Sequence, residues 1–238
     1  MIEVSRLTKV YGASAALRAV SLTVPAGTVL SVLGHNGSGK TTLLRLLATL
    51  VRPTAGSGRI GGHDLVRERD EVRRLIGLVG HGTQLYDDLT ALENLAFAAA
   101  LDETPRDRHA AEAALARVGL QAQAGRRVRE LSTGMRRRVA LARVMLRRPR
   151  VLLLDEPFAG LDQDGAKRLE EYLGEFRADG GAAVLVTHSL GRGLALGDRI
   201  AILAGGRLVV DEVRGVLTEE ALGRLYLTAT EASGQCGA

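Results

Sequence analysis

The chain has 238 residues, 46% of them hydrophobic and 25% charged, with a formal net charge of +5 at pH 7. This is the balance of a soluble globular protein long enough to bury a sizeable core. No run approaches the roughly 20 apolar residues that span a bilayer, because the best stretch, residues 91–101, is short and carries Glu93 and Asn94. The N-terminal segment MIEVSRLTKV has no apolar signal core, so a cytoplasmic protein is expected. The single cysteine, Cys236, excludes an internal disulfide or a cysteine metal cluster, and is expected to be a free thiol in a frayed tail. The positive charge suits phosphate ligands, nucleic acid or an anionic membrane surface, and selects none of them alone.

In chain order, Ile2 to Ser5 and Val20 to Val24 alternate as strands, and Thr28 to Leu33 reads as a buried strand. After a glycine-rich loop, the leucine spacing from Thr41 to Leu50 predicts a buried helix. Leu75 to Val79 is a short apolar strand, and residues 91–101 and 106–118 read as alanine-rich helices. A third helical pattern runs from Thr133 to Arg147 and is stopped by Pro149. Val151 to Leu154 is an uninterrupted apolar strand of the kind buried on both faces of a parallel sheet. Leu169, Tyr172, Leu173 and Phe176 mark one face of a helix, and Ala182 to Thr187 is a further buried strand. Arg199 to Leu203 and Arg207 to Val210 pair as a hairpin across Gly205 and Gly206. The order predicts an α/β fold with a mostly helical insertion.

Gly34-His35-Asn36-Gly37-Ser38-Gly39-Lys40-Thr41 matches the phosphate-loop pattern in full, with a strand before it and a helix beginning at Thr41 and Thr42. The glycines let backbone amides turn inward, and those amides with the helix N-terminus bind phosphate oxygens. Lys40 reaches the β- and γ-phosphates in this pattern, and the Thr41 hydroxyl ligates Mg²⁺. Asp155, at the end of a buried strand, can hold a water on that Mg²⁺, while Glu156 beside it can polarise an attacking water.

Leu131-Ser132-Thr133-Gly134-Met135 precedes a strong helix, where Ser132 and the Gly134 amide form an anion site. With this segment the chain resembles the ATP-binding cassette family, whose signature reads LSGGQ. The likeness extends from residue 2 to about 212. Tyr11 matches the aromatic that stacks on adenine. Ala159-Gly160-Leu161-Asp162 resembles the loop that crosses the dimer interface, and Thr187-His188 matches the switch histidine at the γ-phosphate. The resemblance implies a P-loop NTPase core of RecA-like type, an N-terminal antiparallel β part and an inserted helical subdomain. On this reading the core takes residues 1–84 and 149–226, the helical subdomain 85–148 and the tail 227–238.

The resemblance also implies ATP and Mg²⁺ as cofactors, and a head-to-tail homodimer or paired cassette. In such a pair Ser132 and Gly134 of one chain close on ATP held by Lys40 of the other. Integral membrane subunits would complete a transporter, with this chain peripheral on the inner face of the membrane. One position departs from the family pattern: the expected glutamine after Leu75 to Val79 falls on His81. Neutral imidazole is a poor ligand for Mg²⁺, so a hydrogen bond to water or to the γ-phosphate region is the expected role. With LYDDLTALENL after it, that histidine is similar to the haem-exporter ATPases of cytochrome c maturation. Exporters of drugs or lipids remain an alternative, as does a regulator without turnover. A soluble cassette ATPase acting on nucleic acid or ribosomes is a further one, though no direct nucleic-acid contact is expected of a chain with three Phe, four Tyr and no Trp. The run Arg136-Arg137-Arg138 is expected to be a solvated helix face or a set of dimer contacts.

Overall fold

A computed structural model describes residues 1–80, 82–101 and 108–234. His81 and Cys236 lie outside the described residues, as do the first residues of the helix expected from 106. The first half of the chain forms β1 (Ile2–Tyr11), β2 (Ser14–Val24), β3 (Val29–Leu33), α1 (Lys40–Leu47), β4 (Ala55–Ile60), β5 (His63–Asp64), α2 (Arg69–Leu75), β6 (Ile76–Val79), α3 (Ala91–Leu101) and α4 (Arg108–Arg117). The second half forms α5 (Thr133–Leu146), β7 (Val151–Asp155), α6 (Gln163–Ala178), β8 (Ala182–Val186), α7 (Leu190–Leu196), β9 (Arg199–Ala204), β10 (Arg207–Val213) and α8 (Glu219–Gly234). Among the described residues, no helix is long and apolar enough to cross a membrane.

The chain divides into two units. One comprises Met1–Ile76, Arg150–Glu156 and Phe176–Ala238; the other comprises Gly77–Pro149 and Pro157–Glu175. In the first unit, β7, β8, β3 and β9 lie side by side and parallel, and β10 closes the edge antiparallel to β9. β3, β7 and β8 are buried at every residue, which is why their sequences run apolar without alternation. Leu33, Ile200, Ile202 and Leu222 form a cluster on this sheet, and α1 buries Leu43, Leu44, Leu46 and Leu47. A second sheet of the same unit is antiparallel, ordered β2-β1-β4-β5.

β1 and β2 are about twice as long as their alternation predicts. The register of the pair shifts three times along its length, and Arg6 and Ala19 take φ of 50° and 52°. The buried set changes parity once in each strand, from Ile2 and Val4 to Leu7 in β1 and from Leu17 to Val20, Leu22 and Val24 in β2, so a strict period of two breaks where the strand continues. β4, β5 and α2 carry too few apolar residues in phase to announce themselves, and α7 and α8 bring only the short i,i+4 pairs Leu190/Leu194 and Leu222/Tyr226 to the sheet cluster. α2 buries only Val72 among its residues.

The second unit packs α3, α4 and α5 around Leu95, Leu115, Val139 and Leu141, with Asn94 buried and bonded to three backbone carbonyls, those of Tyr86, Leu89 and Thr90. The arginine run at the start of α5 is not a solvated face. Arg137 is 8% exposed, Arg136 pairs with Asp87 at 3.2 Å, and the largely buried Arg138 lies 3.4 Å from Asp162 and 3.8 Å from Asp164. A helix face that also supplies core residues must bury whatever its period places there, and the guanidinium stems fill that space.

Candidate active site

The loop between β3 and α1 is the first part of the site. Gly39 sits at the N-cap of α1 with φ 107°, a conformation open to glycine, and a Cβ there would lie 2.5 Å from the Ala16 carbonyl oxygen. The first helical hydrogen bond runs from Leu43 N–H to Gly39 O at 2.9 Å. The amides of Lys40, Thr41 and Thr42 therefore precede the helical ladder and point from the positive end of α1. Gly34 and Ser38 are buried, whereas His35, Asn36 and Gly37 are exposed at the loop crest. The Ser38 hydroxyl has no hydrogen-bond partner among the described residues, and its backbone amide donates to His35 O at 3.2 Å.

The Lys40 side chain folds back over this loop. Its ammonium donates to Gly34 O at 2.7 Å and to His35 O at 2.8 Å, which uses two of three N–H groups. Burial pushes the Lys40 pKa below the 10.5 of a free lysine, while the Glu156 and Asp155 carboxylates pull it back up.

β7 supplies the acidic half. Thr41 Oγ1 donates to Asp155 Oδ2 at 3.0 Å, so the first hydroxyl of α1 and the last carboxylate of β7 meet. Both are hard oxygen donors, the type that Mg²⁺ selects. Glu156 follows with φ 48°, a left-handed backbone that costs energy in a residue with a Cβ. That turn aims its carboxylate at the end of β8. Thr187 Oγ1 donates to Glu156 Oε2 at 3.2 Å, and His188 Nδ1 lies 2.7 Å from Glu156 Oε1. Both oxygens are thus held, and the carboxylate is fixed in direction. Thr187 is quoted beside His188 in the sequence without a role of its own, and the structure gives it one as the second donor to Glu156.

Tyr11, the last residue of β1, is 45% exposed and pairs in register with Ser14. In the second unit Ser132 is the N-cap of α5, and its Oγ accepts from Met135 N–H at 3.2 Å. Asp162 accepts from Gly165 N–H at 2.9 Å and faces Arg138, so its side chain ties the start of α6 to α5. Gly134 approaches the chain closely: a Cβ there would stand 2.7 Å from Gly160 O, against backbone that cannot swing away. Gly134→Ala is expected to cost about 1–3 kcal/mol of stability through overpacking, read by urea unfolding against the parent chain. An unchanged midpoint would show that this contact relaxes freely.

A family model described as ABC transporter matches residues 17–159. The chain is 38% identical over 239 residues to the daunorubicin resistance ATP-binding protein DrrA3 of Streptomyces coeruleorubidus, covering 100% of this chain and 76% of the relative. It is 45% identical over 163 residues to the cytochrome c biogenesis ATP-binding export protein CcmA of Pseudomonas putida, covering 68% of this chain and 77% of the relative. A solved ATP-binding cassette, described as dimeric in a post-hydrolysis state with ADP and Pi, matches with a TM-score of 0.83 at 29% identity, covering 91% of this chain and 100% of that one.

Proposed function

The chain belongs to the ABC transporter family as an ATP-binding, ATP-hydrolysing subunit, and from that premise we propose a specific division of labour among its residues. The Thr41–Asp155 contact at 3.0 Å beside the Glu156–His188 contact at 2.7 Å is the observation that carries it. The loop amides from Gly34 to Thr42, with Lys40, bind the phosphates, and Tyr11 stacks on the base. Thr41, with Asp155 acting through a water, would hold Mg²⁺, and the ion would supply charge neutralisation at the phosphates. Glu156 accepts the proton of the attacking water, and Thr187 and His188 keep its carboxylate aimed. His81 hydrogen-bonds water or phosphate oxygen in this scheme and does not ligate the metal.

Two copies pair head to tail in the proposal, each presenting Ser132, Gly134 and Asp162 to the nucleotide on the other. The dimeric state of the similar solved cassette supports that pairing. A two-fold arrangement makes the two sites equivalent. The γ-phosphate is then bound from both sides, and its loss on hydrolysis releases the pair. Membrane subunits carried on other chains receive the resulting motion on the inner face of the membrane.

The finer reading is haem export in cytochrome c maturation, supported by the 45% identity to the Pseudomonas putida export protein and by the histidine at position 81. Drug export is a second reading, favoured by the relative that matches the chain from end to end. A pull-down of tagged Glu156→Gln protein from its native membranes, with ATP and Mg²⁺, separates them. Multi-span partners with a haem Soret band are the expected result. Partners that confer anthracycline efflux would transfer the assignment to drug export. Recovery of RNA or ribosomal protein alone would overturn transport.

A further inference from the structure

Three hydrogen bonds stitch the end of β1 to the segment that leaves α1. Thr54 N–H donates to Thr8 O at 2.8 Å, Val10 N–H donates to Thr54 Oγ1 at 3.1 Å, and the Lys9 ammonium donates to Arg52 O at 2.9 Å. The same ammonium stands over the Tyr11 ring, 4.9 Å from its centroid. Lys9 therefore has two partners at once: a carbonyl just beyond the phosphate-binding helix and the π-face of a half-exposed tyrosine. A lysine held only by solvent would leave both.

An aromatic ring has two faces, and a base can stack on only one that is open. With Lys9 tied to Arg52 across one face of the half-exposed Tyr11 ring, a stacked purine has only the opposite face to use. The tether also removes side-chain freedom before any ligand arrives, so less entropy is lost on binding. The cation draws π-density toward itself and so reduces the repulsion between the far face and the π-face of a stacked base.

We propose that Lys9 is a positioning residue for the nucleobase: it backs the Tyr11 ring with a cation and ties that ring to Arg52, so that base recognition and the phosphate helix share one rigid frame. This rests on the reading of Tyr11 as the base platform. The role is distinct from phosphate neutralisation, because it acts only on ligands that carry a base.

The test measures dissociation constants of ATP and of inorganic tripolyphosphate, both with Mg²⁺, for the full chain and for Lys9→Met, Lys9→Arg, Tyr11→Leu and the double variant. Lys9→Met is expected to weaken ATP binding about 3-fold, the scale of an exposed cation–π contact, and to leave tripolyphosphate unchanged. Lys9→Arg should restore most of the loss, and Lys9→Met should have no effect once Tyr11 is leucine. Tighter ATP binding in Lys9→Met would mean that Lys9 competes for the stacking face, and overturns the proposal. An equal loss for tripolyphosphate would make Lys9 a phosphate group and overturns it too. If Tyr11→Leu binds ATP as the parent does, the base platform itself fails and the proposal falls with it.

Discussion

Glu156→Gln is expected to lower steady ATP turnover by about 10²–10⁴-fold, the usual contribution of a positioned general base, while ATP still binds. The local geometry says why the substitution should be clean. The left-handed φ of 48° is paid for by the surrounding structure whichever side chain stands there, so glutamine adds no new backbone strain. Its amide oxygen can still accept from His188 or Thr187, the two donors that hold the glutamate oxygens at 2.7 Å and 3.2 Å. Only the capacity to take a proton is lost. With ATP and Mg²⁺ the variant should therefore accumulate as a pair, eluting on a sizing column near twice the 25.2 kDa of one chain. Normal turnover would remove Glu156 as the base. A variant that binds ATP but elutes as a monomer would sink the two-site model and leave the base assignment standing.

A second copy of the active-site logic lies in how strain and support are distributed. The carboxylate proposed as the base sits on an unfavourable backbone, whereas the carboxylate that meets Thr41 is the last residue of a regular, wholly buried strand. Asp155 is thus fixed by the sheet, and Glu156 by two side chains from the end of β8. Loss of either donor should loosen the base without unfolding the sheet. Thr187→Val, of similar shape, is expected to lower kcat several-fold with little change in KM, since truncating a neutral hydrogen bond costs on the order of 1 kcal/mol.

Much of this site could be read from the residues alone because its spacing is dictated by covalent geometry. A strand, a glycine loop and a helix must follow in order for amides to converge on phosphate, and Gly34 to Thr42 satisfy that within a few residues. The helices α3 and α5 were likewise visible, α3 from its alanine-rich face and α5 from its period, and their ends fall within a residue of expectation. The antiparallel sheet was legible only in part: β1 and β2 were expected at about half their length, because the irregularities near Arg6 and Ala19 reset the alternation. α2 escaped for a different reason: charged residues dominate it, and a helix with one buried valine leaves almost no periodic trace. The solvated-face expectation for the arginine run failed because charge density says nothing about direction. Arg137 is buried by the face of α5 it occupies, and Arg138 by two aspartates far off in sequence. Tertiary pairing of that kind has no signature in a local window.

Lys40→Met is expected to weaken ATP binding by about 10²–10⁴-fold, from the loss of two charge-assisted hydrogen bonds at roughly 1.5–3 kcal/mol each, and to abolish turnover at ordinary ATP concentrations. The parent chain should also show a pH dependence that this variant lacks, and its sign follows from burial. Desolvation lowers the Lys40 pKa in the folded protein below the 10.5 of the free side chain. Between those two values the unfolded chain holds the proton that the native chain has lost, so the unfolded state binds more protons and the stability of the nucleotide-free protein rises with pH. ATP reverses the balance. Its phosphates favour the ammonium, so the complex keeps the proton to higher pH than the free protein does. Affinity is complete below the Lys40 pKa of the free protein and falls as pH rises through it, by up to about tenfold per pH unit, because each binding event must then take up a proton. Titrating ATP affinity and urea stability across the alkaline range, for the parent and for Lys40→Met, gives two slopes of opposite sign whose difference between the proteins isolates this one group. Equal slopes in both proteins would place the titration elsewhere, and a parent affinity that climbs with pH would contradict contact between the Lys40 ammonium and the phosphates.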